Sequence, residues 1–330
     1  MHAATWQNPA AKYIARPPLF DPEEGVTVRE PLQAGRGWWA GAPQAYHDAE
    51  SGTFYLYYRL RKPRDLGRGV MCRVAAGSDG LQFDDIWQAN KEDLDSPSVE
   101  KSCLFKLPDG TWQLYISYVD PATNMWRIDL MEAEAPEGFD TASARKVFAP
   151  EELGLAGIKD PIVYNIGGLY HMIVSYAPNP QAVSEDLKET MHGTGDVYNT
   201  GTVKSHTGLA TSGDGRNWSY EGDILTPPDE GWDRYCTRIG SVLSLPPVFV
   251  GFYDGSASVE ENYEEQAGLA ISHDLRCWRR ITTAGPWVSS PHGCIRYIEA
   301  LPVGDAIFYY YEYTREDGSH ELRASRVELG

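Results

Sequence analysis

Short runs rich in aliphatic and aromatic residues recur along this chain, and helical periodicity is weak almost everywhere, the pattern of strands rather than helices. In five places such a run leads up to a tight turn and a second run follows it. The stretches are APQAYHDAESGTFYLYYR ending at Arg59, EKSCLFKLPDGTWQLYISY ending at Tyr118, KDPIVYNIGGLYHMIVSY ending at Tyr176, RIGSVLSLPPVFVGFYD ending at Asp254 and HGCIRYIEALPVGDAIFYYYE ending at Glu312. Their turns carry Asp-Gly, Gly-Gly, Pro-Pro and Gly-Asp, which are hairpin signals. Helical spacing is confined to SEDLKETMH, Ser184 to His192, inside a long insertion from about Ala177 to Lys204. Insertions of that length are more often functional than decorative.

Between the hairpins a second pattern recurs: AAGSDGLQF from Ala75, ATSGDGRNW from Ala210 and AISHDLRCW from Ala270. Each places an aspartate (Asp79, Asp214, Asp274) four residues after the alanine and an aromatic (Phe83, Trp218, Trp278) eight after it. Turn chemistry explains the aspartates and packing under a sheet explains the aromatics, so both are expected to be structural. Five hairpins joined by a recurring outer turn predict an all-β fold, a five-bladed β-propeller. The expected organisation is one domain over residues 1–330. Its blades fall at about 38–90, 97–150, 156–226, 233–284 and 289–329, and segment 1–37 packs on or closes the ring.

Composition narrows the function. The formal net charge of −18 argues against binding nucleic acid or an anionic membrane surface through bulk charge. Twenty tyrosines and ten tryptophans suit strands, and they suit stacking on the apolar faces of a ligand. The opening MHAATWQNPAAKYIARPP has no apolar core of a secretion signal, so a cytoplasmic protein is expected. The five cysteines, Cys72, Cys103, Cys236, Cys277 and Cys294, are odd in number and lack CxxC spacing. Mostly buried thiols are expected, rather than a disulfide framework or a structural zinc site. The oligomeric state stays open.

In a blade the first strand is innermost and the second runs back beside it. The start of strand one and the end of strand two therefore share a face. On that face the sequence places Trp38, Trp39, Glu100, Lys159, Asp160, Asp233, Arg238, His292 and Arg296 at first-strand starts. Arg59, Tyr118, Tyr176, Asp254 and Glu312 stand at second-strand ends. So many charges converging on one axis exceed what a purely structural ring requires, because unpaired buried charge is costly.

The whole pattern resembles the five-bladed β-propeller glycosidases, glycoside hydrolase families 43, 32, 68, 117 and 130, with family 130 nearest in pattern. YLYYR before AAGSDGLQF resembles that family's Tyr-Arg strand end and Ser-x-Asp-Gly turn. KDPIVYNIGGLYHMIVSY resembles its Lys-Asp-Ala hairpin, RIGSVL…VFVGFYDG its Lys-Ile-Gly segment, and SPHGCIRY…GDAIFYYYEY its closing hairpin. The resemblance implies a carbohydrate substrate and a glycoside hydrolase, inverting, with paired carboxylates in the axial funnel. The alternatives are a family-130-type phosphorylase and a catalytically inactive saccharide-binding propeller.

The expected catalytic residues are Asp160, Glu100 and Asp254. The other residues of that face line the substrate site: Trp38, Trp39, Arg59, Tyr118, Lys159, Tyr176, Asp233, Arg238, His292, Arg296 and Glu312. No cofactor is required, although the family 43 resemblance allows an axial calcium ion near His292. Two carboxylates in one partly dry site repel, so one of Asp160 and Glu100 is expected to bind its proton more tightly and act as the acid. The departures are Lys101, where family 130 carries its acid aspartate, and Ala42-Pro43, where families 32 and 43 carry a blade-one aspartate. Tyr176 and Asp254 fill places where the phosphorylases keep phosphate ligands, which favours hydrolysis.

Overall fold

The structure is a computed structural model and describes residues 16–182 and 184–329. Strand β1 (Val26–Arg29) precedes the first hairpin. Blade one is β2 (Trp39–Asp48), β3 (Thr53–Arg61), β4 (Gly69–Gly77) and β5 (Asp84–Asn90). Blade two is β6 (Cys103–Lys106), β7 (Trp112–Val119), β8 (Trp126–Ala133) and β9 (Arg145–Phe148). Blade three is β10 (Leu155–Ile166), β11 (Leu169–Pro178), β12 (His206–Ser212) and β13 (Ser219–Leu225), with helix α1 (Glu185–His192) between β11 and β12. Blade four is β14 (Cys236–Leu245), β15 (Val248–Ser256), β16 (Gln266–Ser272) and β17 (Arg279–Arg280). Blade five is β18 (Ile295–Val303), β19 (Ala306–Thr314) and β20 (His320–Glu328). Its fourth strand is β1, which pairs antiparallel with β20.

The core lies between blades rather than at one centre. Leu56 and Tyr58 of blade one meet Phe308 and Tyr310 of blade five, while Tyr57 and Val74 meet Leu114 and Ile116 of blade two. Tyr115 and Ile128 meet Met172 and Val174, Ile162 and Ile173 meet Ile239 and Tyr253, and Leu243 and Phe252 meet Ile298 and Tyr309. Each interface excludes water from aliphatic and aromatic side chains, at about 1.5–3 kcal/mol per large side chain. Sandwiching explains a departure from simple alternation. The inner strand β11 is buried along nearly its whole length, whereas the outer strand β13 alternates.

The recurring aspartates cap turns as their chemistry requires. Oδ1 of Asp79 accepts from the amides of Leu81 and Gln82 at 2.9 and 2.8 Å. Oδ1 of Asp214 accepts from Arg216 and Asn217 at 2.7 and 2.8 Å, and that of Asp274 from Arg276 and Cys277, both at 2.8 Å. These turns join third to fourth strands, away from the axis. The predicted helix forms as α1, with the Ser184 hydroxyl accepting from the Leu187 amide at 3.2 Å. Within segment 1–37, residues 1–15 lie outside the described residues. The remainder packs Phe20 on Tyr309, centroids 4.7 Å apart, and supplies β1. Cys72, Cys103, Cys236 and Cys294 are buried free thiols and Cys277 is an exposed one. Among the described residues no helix is long and apolar enough to cross a membrane.

Candidate functional site

All five hairpins bend at one level of the axis. In blades one, three and five the pairing of strands one and two slips after Gly41, Lys159 and Arg296. The residue that follows each slip, Ala42, Asp160 or Tyr297, is left-handed, with φ of 53, 54 and 53°. Blade two reaches the same level at Glu100, whose amide bonds the Ser117 carbonyl. Blade four reaches it at Arg238. One residue per blade stands at this level: Gly41, Glu100, Lys159, Arg238 and Arg296. Their second-strand partners are Arg59, Ser117, Ser175, Asp254 and Glu312. Gly41 is required there, because a Cβ on it would stand 2.0 Å from a Glu312 carboxylate oxygen.

These side chains form a circuit of alternating charge that runs from Glu100 round to Lys159. Glu100 Oε1 lies 2.6 Å from Arg59 Nε, and Arg59 Nη2 3.4 Å from Glu312 Oε2. Glu312 Oε1 accepts from Arg296 at 2.5 Å, and Arg296 reaches Glu265 at 2.6 Å. Glu265 meets Arg238 at 3.3 Å, and Arg238 Nε stands 3.6 Å from Asp160. Lys159 Nζ lies 2.9 Å from Asp160. Arg238 also donates to Asp254 at 2.8 and 3.2 Å. Trp39 forms one wall, stacked on His320 with centroids 4.5 Å apart and covered by Arg61 and Arg296.

The circuit sets the protonation states. Burial pushes Glu100 up, but Arg59, Lys159 and Arg61 outweigh it and hold the carboxyl at about 2. Burial likewise opposes Glu312 and Glu265, and the surrounding guanidiniums keep both below the usual range. Asp254 goes the other way. Its burial, reinforced by Glu265, exceeds the pull of Arg238. The expectation that repulsion would make Glu100 or Asp160 the acid is not met for Glu100, because cations rather than a second carboxylate are its nearest neighbours.

The funnel above this circuit is filled. Segment 257–265, between β15 and β16, and segment 184–205, which follows β11, meet over the axis. Tyr263 lies 5.1 Å from Trp39 and under Arg61, and its hydroxyl donates to Asp196 at 2.7 Å. Asn262 bonds Asn199. The remaining cavity, about 10 Å³, is lined by Glu100, Lys159, Tyr198, Arg238, Tyr263 and Tyr297, among others. That is barely room for one water, not the deep open pocket expected of an enzyme. A larger cavity, about 390 Å³, opens at the other end of the axis. Its polar lining is already engaged: Gln44 bonds the Leu104 amide and the Ala45 carbonyl, and the Tyr164 hydroxyl accepts from Val242.

The upper site differs in that respect. Both oxygens of Asp160, both terminal nitrogens of Arg59, Nη2 of Arg61 and the Trp39 indole nitrogen are buried without a protein hydrogen-bond partner. Acceptors and donors therefore stand together, unsatisfied by each other. Ion-pair distance relieves some of the charge, but a buried polar atom without a hydrogen bond costs about 1–3 kcal/mol.

No family profile matches this sequence, and no curated protein matches it. Solved structures do. A thermostable family-43 glycoside hydrolase superposes with a TM-score of 0.65 at 13% identity, covering 92% of each chain. The β-1,2-mannobiose phosphorylase from Listeria innocua, in complex with β-1,2-mannobiose, gives 0.60 at 14%, covering 91% of this chain and 92% of its own. A member of the GH130 mannoside phosphorylase family, described with glycoside hydrolases that target β-1,2-mannosidic linkages in Candida mannan, gives 0.60 at 17%, covering 93% and 95%. The fold is the five-bladed propeller of the glycosidases.

Seen on that propeller, the expected residues divide by strand parity. Asp160, Glu100, Asp254, Trp39, Arg59, Lys159, Arg238, Arg296 and Glu312 meet at the axis. Tyr118 and Tyr176 do not. Each stands one residue beyond the axial position, held by Ser117 and Ser175, so its side chain turns to the other face of the strand. Tyr118 bonds Asp129 at 2.9 Å, and Tyr176 bonds Asp223 and His206. Ser175, not Tyr176, therefore holds the blade-three place compared with phosphorylases. Asp233 is buried but bonded to Arg280 and Tyr253, pinning a loop to outer strands. Trp38 is half-buried before β2, its carbonyl accepting from the His320 amide.

His292 is exposed and offers no axial ion site. Among the described residues, ligand-type atoms of Glu264, Cys294 and His320 lie within 4.8 Å of one another. Sequence reading missed Arg61, Asp196, Tyr198, Tyr263, Glu265, Tyr297 and His320. Most come from loops or third strands, where no period marks them. Tyr297 could have been found by aligning the five hairpins at their bulges, where it matches Asp160.

Proposed function

We propose that this chain is a glycoside hydrolase that takes a saccharide into the upper axial funnel. The observation that carries the reading is the set of buried polar atoms of both kinds around one axis: Asp160 as acceptor, and Arg59, Arg61 and Trp39 as donors. Sugar hydroxyls both donate and accept, so a saccharide satisfies such a set where a simple anion or cation satisfies half of it. The family-43 and GH130 structures of the same fold support this substrate class. Asp160 is the carboxylate at the funnel floor and the base that takes a proton from water. Asp254 is the partner carboxyl. Oxygens of both stand at 3.6 and 3.2 Å from Arg238 Nε, so one guanidinium brings the two carboxyls together at the funnel floor. Substrate enters when segment 257–265 withdraws Tyr263.

A second reading, an inert saccharide-binding propeller, is favoured by Ala42 and Lys101, neither of them a carboxylate, which follow the axial residues Gly41 and Glu100 as Asp160 follows Lys159. A nitrophenyl glycoside screen with and without phosphate, run beside calorimetric saccharide binding, separates the readings. Phosphate-independent release of free sugar supports hydrolysis, and sugar 1-phosphate points to phosphorolysis. Binding without turnover selects the inert reading, and neither binding nor turnover removes the saccharide altogether.

A further inference from the structure

Beside the funnel, under Trp39, three side chains with metal-binding chemistry converge. Cys294 opens blade five, His320 opens β20, and Glu264 belongs to the segment that carries Tyr263. Their ligand atoms all lie within 4.8 Å of one another. Each is held from behind so that one atom is left facing the others. The His320 Nδ1 edge is engaged by Glu312 Oε1 at 2.7 Å, leaving Nε2 3.4 Å from Glu264 Oε1. Glu264 Oε2 accepts from the Cys294 amide at 3.1 Å and the Thr314 hydroxyl at 3.0 Å, so Oε1 is the free oxygen. The Cys294 sulfur lies 3.1 Å from the Thr314 hydroxyl oxygen, 4.0 Å from Nε2 and 3.7 Å from Nδ1.

We propose that Glu264, Cys294 and His320 form a three-ligand site for a zinc-class divalent cation, which fastens segment 257–265 to blade five. The dimensions fit. Bonds of about 2.0–2.3 Å to tetrahedral zinc put neighbouring ligand atoms roughly 3.3–3.8 Å apart. The observed 3.4 and 4.0 Å from His320 Nε2 require shifts of a few tenths of an ångström, and the Cys294 sulfur and Glu264, within 4.8 Å of each other, close by up to about 1 Å through side-chain rotation. A thiolate, an imidazole and a carboxylate are a zinc-type donor set rather than one for calcium or magnesium. Glu312 on the far ring nitrogen is the carboxylate partner that metal-binding histidines commonly keep. Glu264 is 29% exposed and gives the ion an entry path, while Cys294 and His320 are buried. Because Glu264 follows Tyr263 directly, an ion at this site holds the funnel plug down. The inference does not depend on which saccharide, if any, the funnel accepts.

Cobalt(II) titrated into the full-length, chelator-treated chain tests it. The expected result is saturable one-to-one binding, with visible bands of tetrahedral intensity and a near-ultraviolet thiolate-to-cobalt band that zinc abolishes by competition. Cys294→Ser removes the near-ultraviolet band. Glu264→Gln, at a partly exposed position that leaves the fold intact, weakens cobalt binding at least tenfold. Non-saturating binding, a weak octahedral spectrum, a thiolate band that survives Cys294→Ser, or affinity unchanged in Glu264→Gln each overturns the site.

Discussion

Asp160 combines a left-handed backbone, complete burial and two carboxylate oxygens that accept no hydrogen bond. Asparagine tolerates that backbone far better than alanine, so Asp160→Asn tests the charge without straining the bulge. The variant is expected to keep its circular dichroism and lose about 10²–10⁴ in turnover, the usual cost of a missing general base. Unchanged turnover would remove Asp160 from the chemistry. A second residue-scale prediction concerns Glu299, which crosses the axis to pair with Lys101 at 3.2 Å. Burial lifts its carboxyl to about 7, with Lys101 offsetting only part. The folded state then holds a proton that the unfolded state releases, so stability falls as pH rises from about 4.5 to 7 and the contribution is on the order of 3 kcal/mol. Glu299→Gln should flatten the denaturation midpoint across that window; an unchanged pH slope contradicts the assignment. Residue identity was legible where the hairpin motif fixed it, as in Lys159-Asp160 and Arg296. It failed by a single step at Tyr118 and Tyr176, because strand parity reverses a side chain for each residue of misplaced register.

Hairpins, outer turns and α1 could be read from the chain because each is governed by local chemistry: period-two burial, an aspartate capping two amides, a serine capping a helix. Asp214→Ala removes those turn bonds and should lower the melting temperature by a few degrees, with about 1–2 kcal/mol lost. Its axial chemistry should be untouched; a stable but inactive variant would mean the turn reaches the site. Segment 257–265 was not legible. Its role comes from meeting another loop across the axis, and no local pattern encodes such a meeting. Tyr263 adopts φ +87°, a conformation that costs a bulky residue about 1–3 kcal/mol. Tyr263→Gly relieves that strain and empties the funnel, so saccharide affinity should rise at least tenfold with little change in melting temperature. Equal affinity in both proteins would show that the plug does not limit entry.

At the scale of the molecule, blade number followed from counting hairpins, while the sealing of the ring is a property of the first and last strands, β1 and β20. Arg29 on β1 reaches Tyr58 and Asp85 of blade one at 3.0 Å each, so the strand that completes blade five also binds it to blade one. Deleting residues 1–29 should therefore lower the melting temperature by far more than a frayed end would, and should broaden the transition; a cooperative transition at the original temperature would show that closure lies elsewhere. The same arrangement governs folding order. Val26 precedes all five hairpins in the sequence, yet its partner Ala324 follows them all. Until β20 forms, β1 is an unpaired edge and blades one to four can form only an open arc. The slowest stage of folding should be docking of β1, which must wait for β20. A circular permutant that starts between blades two and three, with the old ends joined, would make β1 and β20 near neighbours in sequence and transfer that delay to a different blade.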